Sequence, residues 1–156
     1  MKTIILFATK YGAAREIAQR MASKIDGAVT HDLKQNGTAD ITGFDCVIIG
    51  SSVYAGSIHK EVKTFISQNI DALQGKRLGL FLSGLETGEG KKAFDNNFPP
   101  EIVQSAKAAS LLGGIFDPKK AGMAERIIMK AITKKSEYID TIDDSKIEQF
   151  AEAMIA

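Results

Sequence analysis

Apolar residues alternate along this chain between two patterns. Short, nearly continuous runs, TIILFA at 3–8, CVIIG at 46–50 and RLGLFLS at 77–83, have the look of strands covered on both faces. Between them Ile17, Ala18, Met21, Ala22 and Ile25 fall on one helical stripe, and Val62, Phe65, Ile66, Ile70 and Leu73 on another. The pattern predicts strands at 2–8, 29–33, 45–51, 77–83 and 110–116. Pro99-Pro100 opens a helix through Ile102, Val103 and Ala106, because proline is tolerated in a first turn. A last helix follows Asp143-Asp144-Ser145. There Ser145 and Glu148 have capping-box spacing, and Ile147, Phe150, Ala151, Met154 and Ile155 form the apolar face.

Five strands alternating with helices predict an α/β fold: a doubly wound, parallel, five-stranded sheet of order 2-1-3-4-5 with helices on both faces. Ligands of such sheets sit beyond the carboxyl ends of the strands, where the winding reverses, here between strands 1 and 3. Three segments end there, all rich in small, hydroxylated and glycine residues. They are Thr9, Lys10, Tyr11, Gly12, Ala13 and Ala14; Ser51, Ser52, Val53, Tyr54, Ala55 and Gly56; and Ser83, Gly84, Leu85 and Glu86, running on to Gly88.

The first of these carries the clearest chemistry. In TIILFATKYGAAREIA a strand feeds directly into a helix, whose first N–H groups lack an internal partner and face outward at the positive end of the helix dipole. A phosphate fits such a place. Thr9 and Tyr11 add hydroxyls, and Gly12 lets the main chain approach without a Cβ. The same residues equally suit an ordinary βα turn in which Thr9 caps the helix, so the turn alone leaves both readings open.

The 156 residues, 44% hydrophobic and 25% charged, suit one domain with a proper core, taken as 1–156. A formal charge of +1 with no long charged block argues against nucleic acid as a main partner. No apolar run is long enough to span a bilayer, and the expected location is the cytoplasm. The single cysteine, Cys46, falls in an apolar strand and reads as core. GEGKKA at 88–93 resembles a dinucleotide fingerprint but follows no strand directly, and a Walker A reading fails at Leu85 and Lys92. Ser51 stands where a receiver domain needs a phosphorylatable Asp. His31 and His59 have no cysteine or carboxylate at ligand spacing, so no metal site is expected. His59 reads as a helix-start residue and His31 as part of strand 2.

FATKYGAAREIA resembles the phosphate loop and first helix of flavodoxins, and IGSSVYAGSIHKEVKTFI resembles their second flavin loop and following helix. Within the flavodoxin-like family the chain resembles the group that includes menaquinone-dependent protoporphyrinogen IX dehydrogenases, which has a glycine and a histidine matching Gly56 and His59. The resemblance implies FMN as cofactor, its phosphate at Thr9–Ala14 and its ring against 51–56 and 83–86. Ala14 departs from the pattern, since flavodoxins usually carry a threonine there; the missing hydrogen bond is worth about 1 kcal/mol. Tyr54 is the expected stacking partner of the ring, because a flat aromatic supplies large contact area at small entropy cost. The resemblance also implies that Gly56 allows the loop to change conformation when flavin N5 gains a proton.

After strand 5 the segment 117–140 reads as an extra helix, with Met123, Ile127, Ile128, Ala131 and Ile132 on one face and Arg126, Lys130, Lys134 and Lys135 elsewhere. Such a stripe suits core packing, and equally a partner or a peripheral membrane contact through 119–135. Three functions follow: an FMN-binding electron carrier between redox partner proteins, a quinone-linked enzyme oxidising protoporphyrinogen IX or a related substrate, or a binding module without redox work. Flavodoxin carriers tend to be strongly acidic, and this chain is near neutral.

Overall fold

The computed structural model describes residues 1–85, 90–120, 122, 123, 126, 127, 130 and 138–156. In chain order the elements are β1 (Thr3–Ala8), α1 (Ala13–Ala22), β2 (Val29–Asp32), α2 (Leu33–Asn36), β3 (Cys46–Tyr54), β4 (Ser57–Ile58), α3 (Lys60–Gln68) and α4 (Ile70–Gln74). Then come β5 (Arg77–Ser83), α5 (Lys91–Asn97), α6 (Pro100–Ser105), β6 (Ala106–Leu111), β7 (Ile115–Phe116), β8 (Ile139–Asp140) and α7 (Asp144–Ile155). The long strands pair in parallel in the order β2-β1-β3-β5-β6, the predicted winding with β5 and β6 as fourth and fifth strands.

Strand alternation divides the core between the two faces of the sheet. Ile4, Leu6, Val47, Ile49 and Leu80 pack against Val62, Phe65 and Ile66 of α3. Ile5, Phe7, Cys46, Ile48 and Phe81 pack against Ile17, Ala18 and Met21 of α1 and Phe150 and Met154 of α7. Because β1, β3 and most of β5 are covered on both sides, their sequences are continuously apolar; β2, at the sheet's edge, leaves Val29 and Thr30 exposed. Cys46 is fully buried, and burial pushes its thiol pKa up, which keeps it an inert core residue.

Two expected elements move. The fifth strand, read at 110–116, runs instead over Ala106–Leu111, so Ala106 opens β6 rather than closing a helix. Its Ala-Lys-Ala-Ala-Ser sequence has no β-branched residue, and pairing with β5 overrides its helical propensity. Ile115 and Phe116 pair instead, antiparallel, with Asp140 and Ile139. The last helix is capped by Asp143, whose side chain accepts from the Lys146 N–H at 3.1 Å, so Ser145 lies inside the first turn. Ile155 is half exposed rather than part of the buried face. Of the expected helix in 117–140, Met123 and Ile127 are 79% and 64% exposed. Ile128, Ala131, Ile132, Lys134 and Lys135 lie outside the described residues.

Gly50 on β3 stands directly across from Phe81 on β5, and the Phe81 ring fills the place a Cβ would take. Gly50→Ala is therefore expected to overpack this face and cost about 1–3 kcal/mol, read as a fall in the midpoint of urea unfolding. An unchanged midpoint would mean that the ring has room to move.

Candidate functional site

The chain leaves β1 at Ala8 and enters α1 at Ala13, with four residues to turn. Gly12 makes the turn possible: it sits at φ 101°, in the left-handed region open to glycine. Thr9 is buried, and its Oγ1 accepts from the Gly12 N–H at 2.9 Å, which locks the turn from inside. The first helical bond runs from Glu16 N–H to Gly12 O at 2.9 Å. The amides of Ala13, Ala14 and Arg15 therefore come ahead of the helical ladder, at the positive end of the dipole. A Cβ built on Gly12 would meet nothing within 4 Å, so a ligand atom has space against this main chain.

A cavity of about 640 Å³ opens at this turn, within the size range of small-molecule sites. Thr9, Lys10, Tyr11 and Gly12 form one wall; Arg15, Asp32, Lys34, Gln35 and Lys120 form the rest. Among the described residues of that lining four cations face one carboxylate, and the oxygens of Asp32 are already engaged. Oδ2 accepts from Arg15 at 2.7 Å, and Oδ1 accepts from the N–H groups of Lys34 and Gln35 at 2.9 and 3.1 Å. The lining thus favours a ligand rich in acceptors, which is what a phosphate is. Ala14 contributes its main chain alone, since its methyl is fully buried in the core on the α1 face.

The second expected segment is a hairpin. β3 runs on to Tyr54, turns at Ala55 and Gly56 with φ of 51° and 79°, and returns as β4, pairing Val53 with Ile58 and Tyr54 with Ser57. Two positive φ values in a two-residue loop define a type I′ turn. Asn97 of α5 holds the hairpin: its Oδ1 accepts from Ile58 N–H at 3.1 Å, and its Nδ2 donates to Gly56 O at 3.0 Å and Ala93 O at 2.8 Å. Lys10 joins the two loops, its Nζ standing 4.3 Å from the Tyr54 ring centroid and 5.3 Å from that of Tyr11. Tyr54 is 45% exposed, so ring surface remains open beside the cation.

Near the end of the parallel part of β3 the fully buried Ser51 donates to Ser52 O at 2.9 Å and accepts from the His59 N–H at 3.1 Å. Ser52 Oγ lies 2.8 Å from His59 Nε2. The third segment is adjacent, since Ser52 pairs in register with Ser83. Ser83 is buried, Gly84 donates its N–H to Gly113 O at 3.1 Å, and Leu85 is half-buried. Glu86 lies outside the described residues.

All of the expected site residues that are described therefore gather at one end of the sheet, beyond β1, β3 and β5. The sequence reading missed Asn97, and it did not place Asp32, Lys34, Gln35 and Lys120 at the site. Asp32 had a signal, a short acceptor at a strand end followed by a helix start. Asn97 had none, because its role depends on α5 folding back over the hairpin.

A doubly wound parallel sheet whose first turn leaves helix amides open, with two glycine-bearing loops beside it, is the architecture of the nucleotide-binding class of α/β proteins. The sequence matches the model of the flavodoxin domain family over residues 4–143. It is 32% identical over 149 residues to the protoporphyrinogen IX dehydrogenase [quinone] of Escherichia coli strain K12, covering 87% of this chain and 81% of that protein. Among solved structures, oxidised flavodoxin 2 from Bacillus cereus superposes with a TM-score of 0.62 at 18% identity, over 99% of this chain and 98% of that one. The flavodoxin of Streptococcus pneumonia TIGR4 gives 0.58 at 22% identity, over 99% and 98%. The chain belongs to the flavodoxin domain family. Membership makes it a flavoprotein with FMN as cofactor and electron transfer as its chemistry.

Ala55 is the one non-glycine residue at positive φ among those described. Asn followed by Gly is the preferred pair for this turn, so Ala55→Asn is expected to stabilise the protein by about 1 kcal/mol. A thermal unfolding curve checks it; a lowered midpoint would contradict the turn assignment.

Proposed function

We propose that FMN lies with its phosphate on the Thr9–Ala14 turn and its ring against residues 51–56 and 83–86, and that the protein passes electrons through it to a redox partner. The observation that carries this reading is the turn itself, with Gly12 at φ 101° and three helix amides ahead of the first helical bond. The Thr9 hydroxyl hydrogen and the main-chain amides of Ala13, Ala14 and Arg15 bind the phosphate, and the Arg15, Lys34 and Lys120 side chains neutralise its charge. Tyr54 provides an aromatic face for the ring, with Lys10 beside it, and Asn97 fixes the carbonyl of Gly56. FMN supplies the electron store when bound; the protein sets its position, its dielectric surroundings and its hydrogen bonds.

A second reading is more specific: the protein is an enzyme that oxidises a porphyrinogen-type substrate and hands the electrons to a quinone. It is supported by the identity to the E. coli dehydrogenase over most of both chains. It is further supported by Met123 and Ile127, exposed beside the exposed Arg126 and Lys130, an apolar and basic combination suited to the lipid surface where quinones reside. No helix among the described residues is long and apolar enough to cross a membrane, so such contact is peripheral.

Titrating the purified protein into FMN should quench flavin fluorescence to a 1:1 end point. Gly12→Val should weaken binding at least about tenfold, because a β-branched residue is strained at this φ and its side chain enters the phosphate's space. Unaltered affinity in that variant would place the phosphate elsewhere.

Protoporphyrinogen oxidation that requires menaquinone would establish the enzyme, and an inactive protein that exchanges electrons with a reductase would establish the carrier. If 119–135 docks on lipid, Met123→Ser with Ile127→Ser should lower co-sedimentation with anionic vesicles and leave FMN binding unchanged. Equal sedimentation of the two proteins would remove the membrane contact.

A further inference from the structure

Ser51, Ser52 and His59 are joined where β3 passes from its parallel partners into the hairpin. Ser51 Oγ fixes the His59 main chain, and the His59 ring, instead of capping its own helix, reaches Ser52 Oγ through Nε2 at 2.8 Å. β1 and β3 pair Ala8 with Ser51. Thr9 opens the turn just beyond β1, and Ser52 continues β3 beside it, so the two follow a paired position at the same end of the sheet. On the reading that the flavin phosphate rests at Thr9, the Ser52 hydroxyl is on the neighbouring strand at that end of the sheet, and Lys10, Lys34 and Asp32, which line the cavity, act electrostatically on His59.

That hydroxyl has one hydrogen to give. If Nε2 is protonated and donates to Oγ, the Ser52 O–H is left to donate into the crevice, as an anion requires. If Nε2 accepts, Ser52 spends its hydrogen on the ring and turns only lone pairs outward, against an anion. A doubly protonated imidazole removes the second arrangement altogether and adds a positive charge. We propose that His59 is a positioning residue that couples flavin-nucleotide binding to proton uptake, by fixing the direction of the Ser52 hydrogen and gaining a proton when the phosphate arrives.

The surroundings fit this role. Burial, above all, holds the His59 imidazole below its ordinary value of 6.5. Lys34 acts in the same sense, Glu61 opposes it, Lys10 lowers it further and Asp32 opposes. The unliganded ring is thus neutral at pH 7, with a proton still to gain. An anion beside Ser52 raises its pKa, so affinity grows as the pH falls through the window between the liganded and free values. The phosphate's own second ionisation, near pH 6, works the other way; only a comparison with a His59 variant isolates the ring.

The test uses the whole protein. The ring C–H signals of His59 and His31 are followed by NMR from about pH 5 to 8, alone, with FMN and with riboflavin, which lacks the phosphate. Calorimetric FMN titrations over the same range compare the wild type with His59→Gln and Ser52→Ala. The expected result is that FMN, and not riboflavin, moves the His59 midpoint upward. The wild type should take up more protons than His59→Gln, with the affinity ratio between them widening toward low pH by up to about tenfold per unit of pKa shift. FMN bound with the His59 midpoint unmoved, riboflavin moving it equally, or an affinity ratio flat with pH would overturn the proposal. A wild type that binds no FMN would sink the flavin reading, and this inference with it, which is a different result from bound and unmoved. Should His59→Gln fail to fold, the wild-type NMR titration decides alone.

Discussion

The site depends on one local constraint: a strand that passes into a helix through four residues, leaving the first helical amides without an internal acceptor. Gly12 in the left-handed region and the Thr9 hydroxyl on its amide hold that geometry before any ligand arrives. On the proposed reading, the phosphate site is therefore built first from the backbone, with the side chains around it adding to it. Ala14 illustrates the point. Its methyl belongs to the core, and the position still offers an N–H.

The sheet then decides what else stands nearby. Parallel pairing of β3 between β1 and β5 brings Ser51 level with Ala8, and Ser52 level with Ser83, so three loops distant in sequence end at a common edge. Two further contacts tie them together. Lys10 lies over Tyr54, joining the first loop to the hairpin, and Asn97 reaches from α5 to hold the hairpin's turn. The basic residues follow from the same topology. α2 begins at the end of β2, so Lys34 faces the cavity that Arg15 enters from α1, with Asp32 fixed between them.

The winding could be read from the chain because β1, β3 and β5 are buried on both faces, and double burial leaves continuous apolar runs. The edge strands followed different rules. Ala106–Leu111 is small, partly polar and helix-prone, and it is a strand only because β5 offers it a partner. The cap of α7 was misplaced by two residues because Asp143 and Ser145 carry equivalent short acceptors and only geometry chooses between them. In the site, the turn at Gly12 and the loop at 51–56 were visible as local chemistry. Asn97, Lys34 and Lys120 were not, since each reaches the site through tertiary contacts that no spacing encodes.

The account's central claim is that the flavin phosphate sits on the amides at the start of α1. Amide chemical-shift mapping by heteronuclear NMR, with FMN compared against riboflavin, tests it directly. The phosphate should produce its own large shifts at Gly12, Ala13, Ala14 and Arg15, absent with riboflavin. Phosphate-dependent shifts confined to the opposite end of the sheet, with those four amides unmoved, would contradict it.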